Sequence, residues 1–330
     1  MIVSVIGAGG WGTAFARLLA RRGHSVVLWA RDPDRAAAID LKRENATYLP
    51  GVLLPRTGLL VTSSLAEAMT AGTIVLAVPS FAMADLLASV APLVTSRKVF
   101  VNLSKGLDQK TRSTMSELVL RAMPGEPAFT LSGPCHAEEV GRDVPTAVVL
   151  AGKDRKVGEA LQIAFSTPRF RVYLSDDLRG VELCSTVKNI IALSTGASDG
   201  LGYGDNSRGA LITRGLAEMV RFGKAFGARE ETFFGLSGVG DLVATCTSEH
   251  SRNRAVGARL GKGETLEAIL ASMRMVAEGV YATRVVHEMA SEEGIDMPIT
   301  AAVHRLLYGG ADPHVLVDEI MTRSPKREGT

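Results

Sequence analysis

The sequence has few cysteines and no long apolar run, and both absences narrow its class. Its three cysteines, Cys135, Cys184 and Cys246, are widely spaced among 330 residues, which excludes a disulfide framework and a CxxC metal pair. No segment approaches the roughly 18–20 apolar residues that span a bilayer. The short apolar N-terminus lacks the basic leader of a signal peptide. We therefore expect a reduced, cytoplasmic protein without an integral membrane segment.

An excess of charge of one sign is also missing. Lysine and arginine number 37 against 35 aspartates and glutamates, so the formal net charge is only +2. A nucleic-acid-binding domain is usually far more basic, and no nucleic acid is expected as a partner. The six histidines lie far apart without metal-ligand spacing, so no metal site is expected. Any positive charge that matters should be local to a substrate site.

The first half of the chain alternates apolar, strand-like runs with helical patterns. A length of 330 residues with 46% hydrophobic residues is enough for two domains with their own cores. The predicted strands are 2–6, 26–29, 73–78, 98–102, 128–131, 146–150 and 171–174. Buried strands that alternate with amphipathic helices indicate a mainly parallel sheet with crossover helices.

Helical patterns replace the strand signals from about residue 180. The predicted helices are 182–197, 207–227, 251–261, 264–273, 280–292 and 298–309. We therefore predict an α/β domain at residues 1–180 and a helical domain at 181–330. The last residues, 323–330, are predicted to be a disordered, solvated tail.

A G-x-G-x-x-G motif follows the first predicted strand and opens the first predicted helix. In such a motif Gly7 permits the tight turn, Gly9 lets the backbone approach a pyrophosphate, and Gly12 allows close helix–strand packing. The free N–H groups and the dipole of the helix start then favour a diphosphate. The motif predicts a dinucleotide-binding domain, and a glycine-rich turn without a ligand is the alternative.

The end of the second predicted strand bears on the choice of dinucleotide. An acidic residue there suits the ribose of NAD, and an arginine suits the 2′-phosphate of NADP. The chain offers Arg31 followed by Asp32. Because Arg31 comes first, we favour NADPH with tolerance of NADH, although Arg31 could equally be a solvated loop residue.

Lys188 and Asp241 are the candidates for catalysis. Reduction of a ketone leaves an oxyanion, and the protein must supply a proton donor beside it. The residues one helical turn from Lys188 are largely apolar, so the lysine needs a partner or a ligand there. We expect Asp241, in a glycine-rich approach to a helix, to fix the ammonium. The alternatives are a lysine that extends to solvent and an aspartate that only caps its helix.

A second group of residues could bind an anionic substrate. Ser251, Arg252 and Asn253 offer a hydroxyl, a guanidinium and an amide in succession, and a helix start there would add backbone N–H groups. A plain N-cap with surface charges is the alternative. Lys105, Gly133 and Cys135 follow strands, at the edge where open α/β sheets bind ligands. Turn or cap roles, rather than a metal site, are expected for Asp199, Asp205 and Asn206.

Together these segments resemble the bacterial NAD(P)-dependent glycerol-3-phosphate dehydrogenase family over nearly the whole chain. The shared motifs are GAGGWGTA at 7–14, AVPS at 77–80, LSKGL at 103–107, SGP and AEEV within 132–140, VKNIIAL at 187–193, DGLGYGDN at 199–206, LITRGLAEM at 211–219, GLSGVGDLVATCTSEHSRNR at 235–254 and VAEG at 276–279. The resemblance implies a Rossmann-type domain followed by an all-α domain like the C-terminal domain of 6-phosphogluconate dehydrogenase.

The resemblance also implies roles for individual residues. Lys188 would donate the proton in reduction and accept it in oxidation. The substrate, dihydroxyacetone phosphate or glycerol 3-phosphate, would contact Lys105, Gly133, Cys135, Lys188, Asp241, Ser251, Arg252 and Asn253. The cofactor, NADPH or NADH, would contact Gly10, Trp11, Arg31, Lys105, Ala137, Arg252, Val276 and Glu278, beside Gly7, Gly9 and Gly12 of the loop.

The sequence is therefore interpreted as an enzyme that reduces dihydroxyacetone phosphate to sn-glycerol 3-phosphate for phospholipid synthesis. Apolar faces in the helical half suggest a homodimer. A β-hydroxyacid or ketopantoate-type reductase is the enzyme alternative, with a carboxylate as its substrate. A protein that senses NADP(H) without turnover is the alternative from another class.

Cys135 departs from the family pattern, which has serine or threonine after SGP, and His136 stands where an aromatic residue is common. A thiol donates hydrogen bonds more weakly than a hydroxyl. We predict that Cys135→Ser keeps or improves the KM for dihydroxyacetone phosphate in steady-state assays. A large loss of activity would instead show that the thiol has a role of its own.

Overall fold

The computed structural model describes residues 1–322, and the tail predicted at 323–330 lies outside the described residues. Contacts between Cα atoms divide the chain into two compact units. The first unit comprises Met1–Thr186 and Gly227–Asp241, and the second comprises Val187–Phe226 and the chain from Leu242 onward. The domain boundary that the sequence predicts near residue 180 is not tested by this division and stays a prediction.

A sheet organises the first unit. Its strands are β1 (Ile2–Ile6), β2 (Ser25–Trp29), β3 (Leu59–Thr62), β4 (Thr73–Leu76), β5 (Val99–Asn102), β6 (Ala128–Ser132), β7 (Thr146–Gly152) and β8 (Phe170–Ser175). Their order is β3-β2-β1-β4-β5-β6-β7-β8. The pairs from β3 to β6 are parallel, β7 is antiparallel to β6, and β8 is parallel to β7. The predicted mainly parallel sheet is confirmed.

Helices make up most of the remaining described chain. They are α1 (Gly10–Arg21), α2 (Pro33–Lys42), α3 (Leu65–Ala68), α4 (Met83–Val90), α5 (Met115–Ala122), α6 (Ala137–Gly141), α7 (Arg155–Phe165), α8 (Leu178–Gly200), α9 (Asp205–Ala225), α10 (Glu230–Phe233), α11 (Asp241–Thr247), α12 (Arg252–Gly261), α13 (Leu266–Ser272), α14 (Glu278–Glu292), α15 (Pro298–Tyr308) and α16 (Pro313–Met321). Among residues 1–322, none of these helices has the length and apolar content to cross a membrane.

Both faces of the sheet in the first unit are covered, as its apolar strands require. Central strand residues such as Val5, Val75 and Val101 are fully buried. On one face Phe15 of α1 meets Phe165 of α7 edge to face, with ring centroids 5.2 Å apart. Burial of aromatic side chains of this size contributes strongly to the core. The strands are thereby held firmly enough to fix the loops that follow them.

Close packing of two helices is the basis of the second unit. A Cβ added at Gly257 of α12 would lie 2.1 Å from the carbonyl oxygen of Leu193 in α8, and one added at Gly196 would lie 2.0 Å from the carbonyl oxygen of Arg254. These distances leave no room for a side chain at either glycine. The two backbones can therefore approach each other only because the contact positions are glycine.

A buried glutamate, Glu218 of α9, binds the start of α15. Its Oε1 accepts a hydrogen bond from the Ile299 N–H at 2.6 Å, and its Oε2 accepts from the Thr300 N–H at 3.0 Å and the Thr300 hydroxyl at 2.9 Å. The N-cap residue Met297 offers no side-chain hydrogen bond, so Glu218 satisfies N–H groups that a cap would otherwise satisfy. Burial nevertheless raises the pKa of Glu218 to about 7.

This raised pKa makes stability depend on pH with a definite sign. An unfolded glutamate titrates near 4.5, so between that pH and about 7 the folded state binds more protons than the unfolded state. Stability from this group is therefore complete below the lower value and is lost as pH rises through the upper one, on the order of 3 kcal/mol in total. We predict that Glu218→Gln, which cannot ionise, becomes more stable relative to the wild type as pH rises over this range.

Urea unfolding at a series of pH values between 4 and 8 measures the difference in free energy of unfolding between the two proteins. The solvent-exposed Glu267 of α13 gives the matched control, Glu267→Gln. A wild-type-to-Glu218→Gln difference that stays constant across this pH range would contradict the prediction.

Candidate active site

The turn after β1 and the first turn of α1 leave no room for a side chain at Gly7, Gly10 and Gly12. Gly7 has a φ of +122°, and a Cβ there would lie 2.6 Å from the carbonyl oxygen of Ala77. A Cβ at Gly12 would lie 2.0 Å from the carbonyl oxygen of Gly7. At Gly9, by contrast, a Cβ would meet nothing within 4 Å. The turn and the close helix–strand approach predicted for Gly7 and Gly12 are therefore present, and Gly9 faces open space.

The start of α1 has the properties of an anion site. Its N-cap residue is Gly9, which offers no side-chain hydrogen bond to the first turn. Asn45 joins the loop to α1, because its Nδ2 donates to the Ala8 carbonyl at 3.0 Å and to the Thr13 hydroxyl at 2.8 Å. A helix start that faces open space with uncapped N–H groups fits a dinucleotide pyrophosphate. Asn45 was missed in the sequence, where no local pattern links it to the loop.

Three further residues predicted to bind cofactor lie around this helix start. A Cβ on Gly10 would lie 3.5 Å from the Cβ of Ala137, the first residue of α6. The Trp11 ring packs 5.6 Å from Phe15, while its buried Nε1 has no hydrogen-bond partner. A buried indole N–H without an acceptor is costly. This donor therefore supports a ligand near Trp11.

At the end of β2, Arg31 and Asp32 differ in what they do. Asp32 is the N-cap of α2, and its carboxylate accepts a hydrogen bond from the Arg35 N–H at 3.0 Å. The Arg31 side chain is exposed. Asp32 thus has a capping role, while Arg31 remains accessible to a ligand.

Four residues predicted to bind substrate meet around the ammonium of Lys105. Its Nζ lies 2.9 Å from Oδ2 of Asp241, 3.4 Å from the carbonyl oxygen of Gly133 and 3.9 Å from Sγ of Cys135. All four residues belong to the first unit. The Asp241 side chain is only 3% exposed, and that of Lys105 is 21% exposed. The cluster is therefore a largely desolvated ion pair that keeps partial access to solvent.

Gly133 is required at the turn after β6. Its φ is +143°, and a Cβ there would lie 3.0 Å from the Cα of Val148. A side chain would be strained in this conformation and would press on β7. The backbone of Gly133 can therefore approach the Lys105 ammonium with its carbonyl.

Asp241 has a helical backbone and so lacks the extended angles of an N-cap residue. It is the first residue of α11, with φ −72° and ψ −30°. Its carboxylate forms an ion pair with Lys105. The expected pairing of Asp241 with Lys188 stays a prediction.

Lys188 is buried inside the second unit. It is 3% exposed, and Cys184, Ile191 and Ala192, one turn away on α8, are fully buried. Its Nζ donates a hydrogen bond to the Thr245 hydroxyl on α11 at 2.6 Å. The predicted apolar surroundings are confirmed, and the alternative of a lysine that reaches solvent is wrong. Because burial of an ammonium is costly, this position indicates a function.

Thr245 is a residue of the candidate site that the sequence did not single out. It is 4% exposed and lies one helical turn after Asp241 on α11. The only available signal was this four-residue spacing, which places two helical side chains on one face. A threonine gives no sign in the sequence of a lysine partner 57 positions earlier.

The segment Ser251–Asn253 opens α12, as predicted. Ser251 is the N-cap, and its hydroxyl accepts a hydrogen bond from the Arg254 N–H at 3.2 Å. Arg252 is exposed, and its Nη1 donates to the carbonyl oxygen of Val276 at 2.8 Å. Two residues assigned to the cofactor are thereby brought together, and Glu278 begins α14 two positions after Val276.

Asn253 connects this segment to the residue after Lys188. Its Nδ2 donates to Oδ1 of Asn189 at 2.9 Å, and its Oδ1 accepts from the Gly279 N–H at 2.9 Å. Asn189 was missed in the sequence, where it stands in an apolar helical stretch. The Asn253 amide therefore holds three segments of the second unit in register.

Asp199 has a second role beside the expected turn. Its carbonyl oxygen accepts from the Gly202 N–H at 3.1 Å at the end of α8, and its carboxylate pairs with Arg208 and Arg254 at 2.7 Å each, so it also bridges helices. Asp205 begins α9 and pairs with Arg208. Asn206 follows within the first turn of that helix.

Two models of one known protein family match the chain. The family model described as NAD-dependent glycerol-3-phosphate dehydrogenase N-terminus matches residues 2–158, and its C-terminal counterpart matches residues 177–318. The chain belongs to the NAD-dependent glycerol-3-phosphate dehydrogenase family. The family resemblance drawn from the motifs is therefore confirmed, and so is the Rossmann-type fold followed by a helical region.

Individual members of the family match over nearly their full length. The glycerol-3-phosphate dehydrogenase [NAD(P)+] of Nitratidesulfovibrio vulgaris is 48% identical, over 99% of this chain and 100% of its own. That of Chlorobium limicola is 46% identical, over 99% of both chains. The crystal structure of glycerol-3-phosphate dehydrogenase from Coxiella burnetii superposes with a TM-score of 0.94 at 40% identity, over 98% of this chain and 99% of that one.

The geometry of the glycine loop predicts opposite outcomes for two identical substitutions. In Gly12→Ala the new Cβ would clash with the Gly7 carbonyl, so we expect loss of about 1–3 kcal/mol of stability or more. In Gly9→Ala the new Cβ enters open space, so the fold should be kept while the dinucleotide is excluded from the helix start.

Thermal unfolding measures the first effect, and titration of NADPH fluorescence measures the second. The two variants serve as controls for each other because each adds one methyl group within the same motif. Wild-type NADPH affinity in Gly9→Ala would place the pyrophosphate away from α1.

Proposed function

We propose that this chain reduces dihydroxyacetone phosphate to sn-glycerol 3-phosphate with NADPH or NADH, reversibly, and supplies glycerophospholipid synthesis. One observation carries the choice of substrate: a relative that is 48% identical over nearly the whole chain is named glycerol-3-phosphate dehydrogenase [NAD(P)+]. The buried Lys188 supports the chemistry, because a ketone reductase needs a proton donor that bulk water does not replace.

Lys188 is the general acid of the proposed mechanism. The nicotinamide, when bound, supplies a hydride to the C2 carbonyl carbon, and the electron pair of the C=O π bond moves to oxygen. The Lys188 ammonium donates its proton to that oxygen and becomes neutral until solvent protonates it again. Thr245 accepts a hydrogen bond from Nζ at 2.6 Å and so fixes the direction in which the remaining protons point. In oxidation the neutral amine accepts the proton.

Lys105 and its neighbours are proposed to bind the substrate. The Lys105 ammonium is held by Asp241 and by the Gly133 carbonyl, so its position is fixed before substrate arrives. A preorganised cation lowers the entropy that binding must remove. Asp241 neutralises this charge in the free enzyme, and Cys135 contacts the same ammonium through sulfur. The further contact of Asp241 with Lys188 remains part of the proposal.

The start of α12 is proposed to bind negative charge. Ser251 and Asn253 fix the helix start, and Arg252 presents an exposed guanidinium whose Nη1 is already anchored on Val276. A guanidinium beside helix N–H groups suits phosphate oxygens. Arg252 would contact both the substrate phosphate and the cofactor, and Val276 and Glu278 would border the cofactor.

The first unit is proposed to bind the cofactor through backbone at Gly7, Gly9, Gly10 and Gly12. Trp11, Ala137 and Lys105 complete the proposed contacts. The exposed Arg31 supports a preference for NADPH, because a guanidinium can pair with a 2′-phosphate while Asp32 is engaged as a helix cap. A cytoplasmic location and a homodimer complete the proposal.

The deciding experiment follows absorbance at 340 nm with purified protein, dihydroxyacetone phosphate, and NADPH or NADH. Ketopantoate is the parallel substrate for the carboxylate-reductase alternative. Rapid turnover of the phosphorylated ketone alone supports the proposal, and turnover of ketopantoate alone overturns it. Dinucleotide binding without turnover of either substrate would favour a sensor.

Removal of the proposed proton donor gives a sharper test of the mechanism. We predict that Lys188→Ala lowers kcat by about 10²–10⁴-fold, the usual loss when general acid catalysis is removed, while NADPH still binds. Because alanine also leaves a cavity, Lys188→Met, which fills the space without a proton to donate, is the matched control and should show a similar loss. Near wild-type turnover in either folded variant would exclude Lys188 as the donor.

A further inference from the structure

Glu182 is a second buried glutamate, near the start of α8 and within the first unit. It is 2% exposed. Its Oε1 accepts hydrogen bonds from Nδ2 of Asn102 at 2.9 Å, from the Ser116 N–H at 3.1 Å and from the Ser116 hydroxyl at 3.0 Å. One carboxyl oxygen thus contacts two places in the chain.

Those two places are the ends of the segment that carries Lys105. Asn102 is the last residue of β5, and Ser116 lies in the first turn of α5. The intervening residues 103–114 contain Lys105 and no regular strand or helix. Glu182 therefore joins both ends of this loop, which removes conformational freedom from it.

Asn102 carries the effect of Glu182 to the residue before Lys105. The Asn102 Oδ1 accepts from the Ser104 N–H at 2.8 Å, and its Nδ2 donates to the Ser104 carbonyl at 3.0 Å. The Glu182 Oε1 accepts its hydrogen bond from Nδ2, so Nδ2 rather than Oδ1 of Asn102 faces Glu182. The orientation of the Asn102 amide, and with it the pairing to Ser104, is therefore set by Glu182.

Ser104 in turn joins the loop to the segment that follows β4, since its hydroxyl donates to the Val78 carbonyl at 2.5 Å. The next residue, Lys105, places its ammonium 2.9 Å from the Asp241 carboxylate. A continuous series of hydrogen bonds thus leads from Glu182 through Asn102 and Ser104 to the base of Lys105.

We propose that Glu182 is a positioning residue for substrate binding, which acts on Lys105 by fixing both ends of the loop 103–114. It touches neither substrate nor cofactor. The inference rests on the proposed function, in which Lys105 contacts the phosphorylated ketone.

Stability alone gives a poor reason for a carboxyl group at this position. Burial raises the pKa of Glu182 to about 7, although the hydrogen bonds from Thr114, Ser116 and Asn102 lower it. A buried group that resists ionisation contributes less to the stability of the fold than its hydrogen bonds would otherwise give. The fixed geometry of Asn102 and Ser116 compensates for the cost of burying the Glu182 carboxyl group.

The test is a double-mutant cycle on the KM for dihydroxyacetone phosphate. Glu182→Met keeps the volume and removes the acceptor, and we expect it to raise KM about tenfold, the effect of one lost hydrogen bond to a charged group. In a Lys105→Met background the same substitution should raise KM by less than about twofold, because interaction through a shared residue makes mutations non-additive.

Glu218→Met is the matched control, since Glu218 is also a buried glutamate that accepts from the N–H groups of another helix start but lies in the second unit. It should lower stability as Glu182→Met does and leave KM unchanged. Glu182→Gln, which keeps an acceptor for Asn102, should restore most of the affinity. If Glu182→Met does not fold, Asn102→Ser carries the same prediction, because serine is too short to join Glu182 to Ser104.

Equal KM increases in the wild-type and Lys105→Met backgrounds would overturn the inference, and so would an equal increase in Glu218→Met. The wild-type rate with dihydroxyacetone phosphate separates this outcome from failure of the proposed function. Absence of wild-type turnover would overturn the proposed function and this inference with it, whereas wild-type turnover with additive effects would overturn the inference alone.

Discussion

The parallel course of β1 to β6 is the constraint on which the first unit depends. Parallel strands end at one edge of a sheet, so the segments that follow them are gathered there whatever their separation in sequence. The glycine loop after β1, Arg31 after β2, the Lys105 loop after β5 and Gly133 after β6 all follow carboxyl ends of strands in the order β3-β2-β1-β4-β5-β6. The approach of Lys105 to Gly133, 28 positions later, is a direct consequence.

Buried carboxyl groups accept hydrogen bonds of the same kind in both units. Glu182 and Glu218 each accept backbone N–H groups in the first turn of another helix, where the helix dipole favours negative charge. Desolvation still outweighs these bonds and raises the pKa of both carboxyl groups. Burial likewise raises the pKa of the Cys184 thiol, with Asp177 and Asp241 adding to the effect, so this cysteine is an unreactive core residue one turn before Lys188.

Much of the fold could be predicted because its strands are continuous apolar runs and its main helices are amphipathic. Elements that bury little were missed. The strand β3 has four residues, α2 buries only Ala36 and Ile39, and α16 buries only Leu316. The antiparallel direction of β7 was also missed, because the direction of a strand depends on its partner and leaves no periodicity in the sequence.

The candidate site divides in a similar way. The local sequence shows where backbone geometry requires glycine and where a lysine has apolar neighbours. Gly7, Gly12, Gly133 and Lys188 could therefore be singled out. Side chains whose hydrogen-bond or ion-pair partners lie far away in the sequence cannot be recognised from a local pattern. Thr245 is identified only through Lys188, Asn45 only through the glycine loop, and Asp199 only through Arg208 and Arg254.

The two parts of the proposed cofactor site differ in how many substitutions the fold can accept. The helix start of α1 depends on backbone positions at which a side chain would clash, so few substitutions are compatible with the fold. Arg31, by contrast, is exposed, and its replacement would disturb no packing. Under the proposed function, the approach of the pyrophosphate would depend on backbone that the fold fixes at Gly7 and Gly12, whereas a preference between NADPH and NADH would depend on the exposed Arg31.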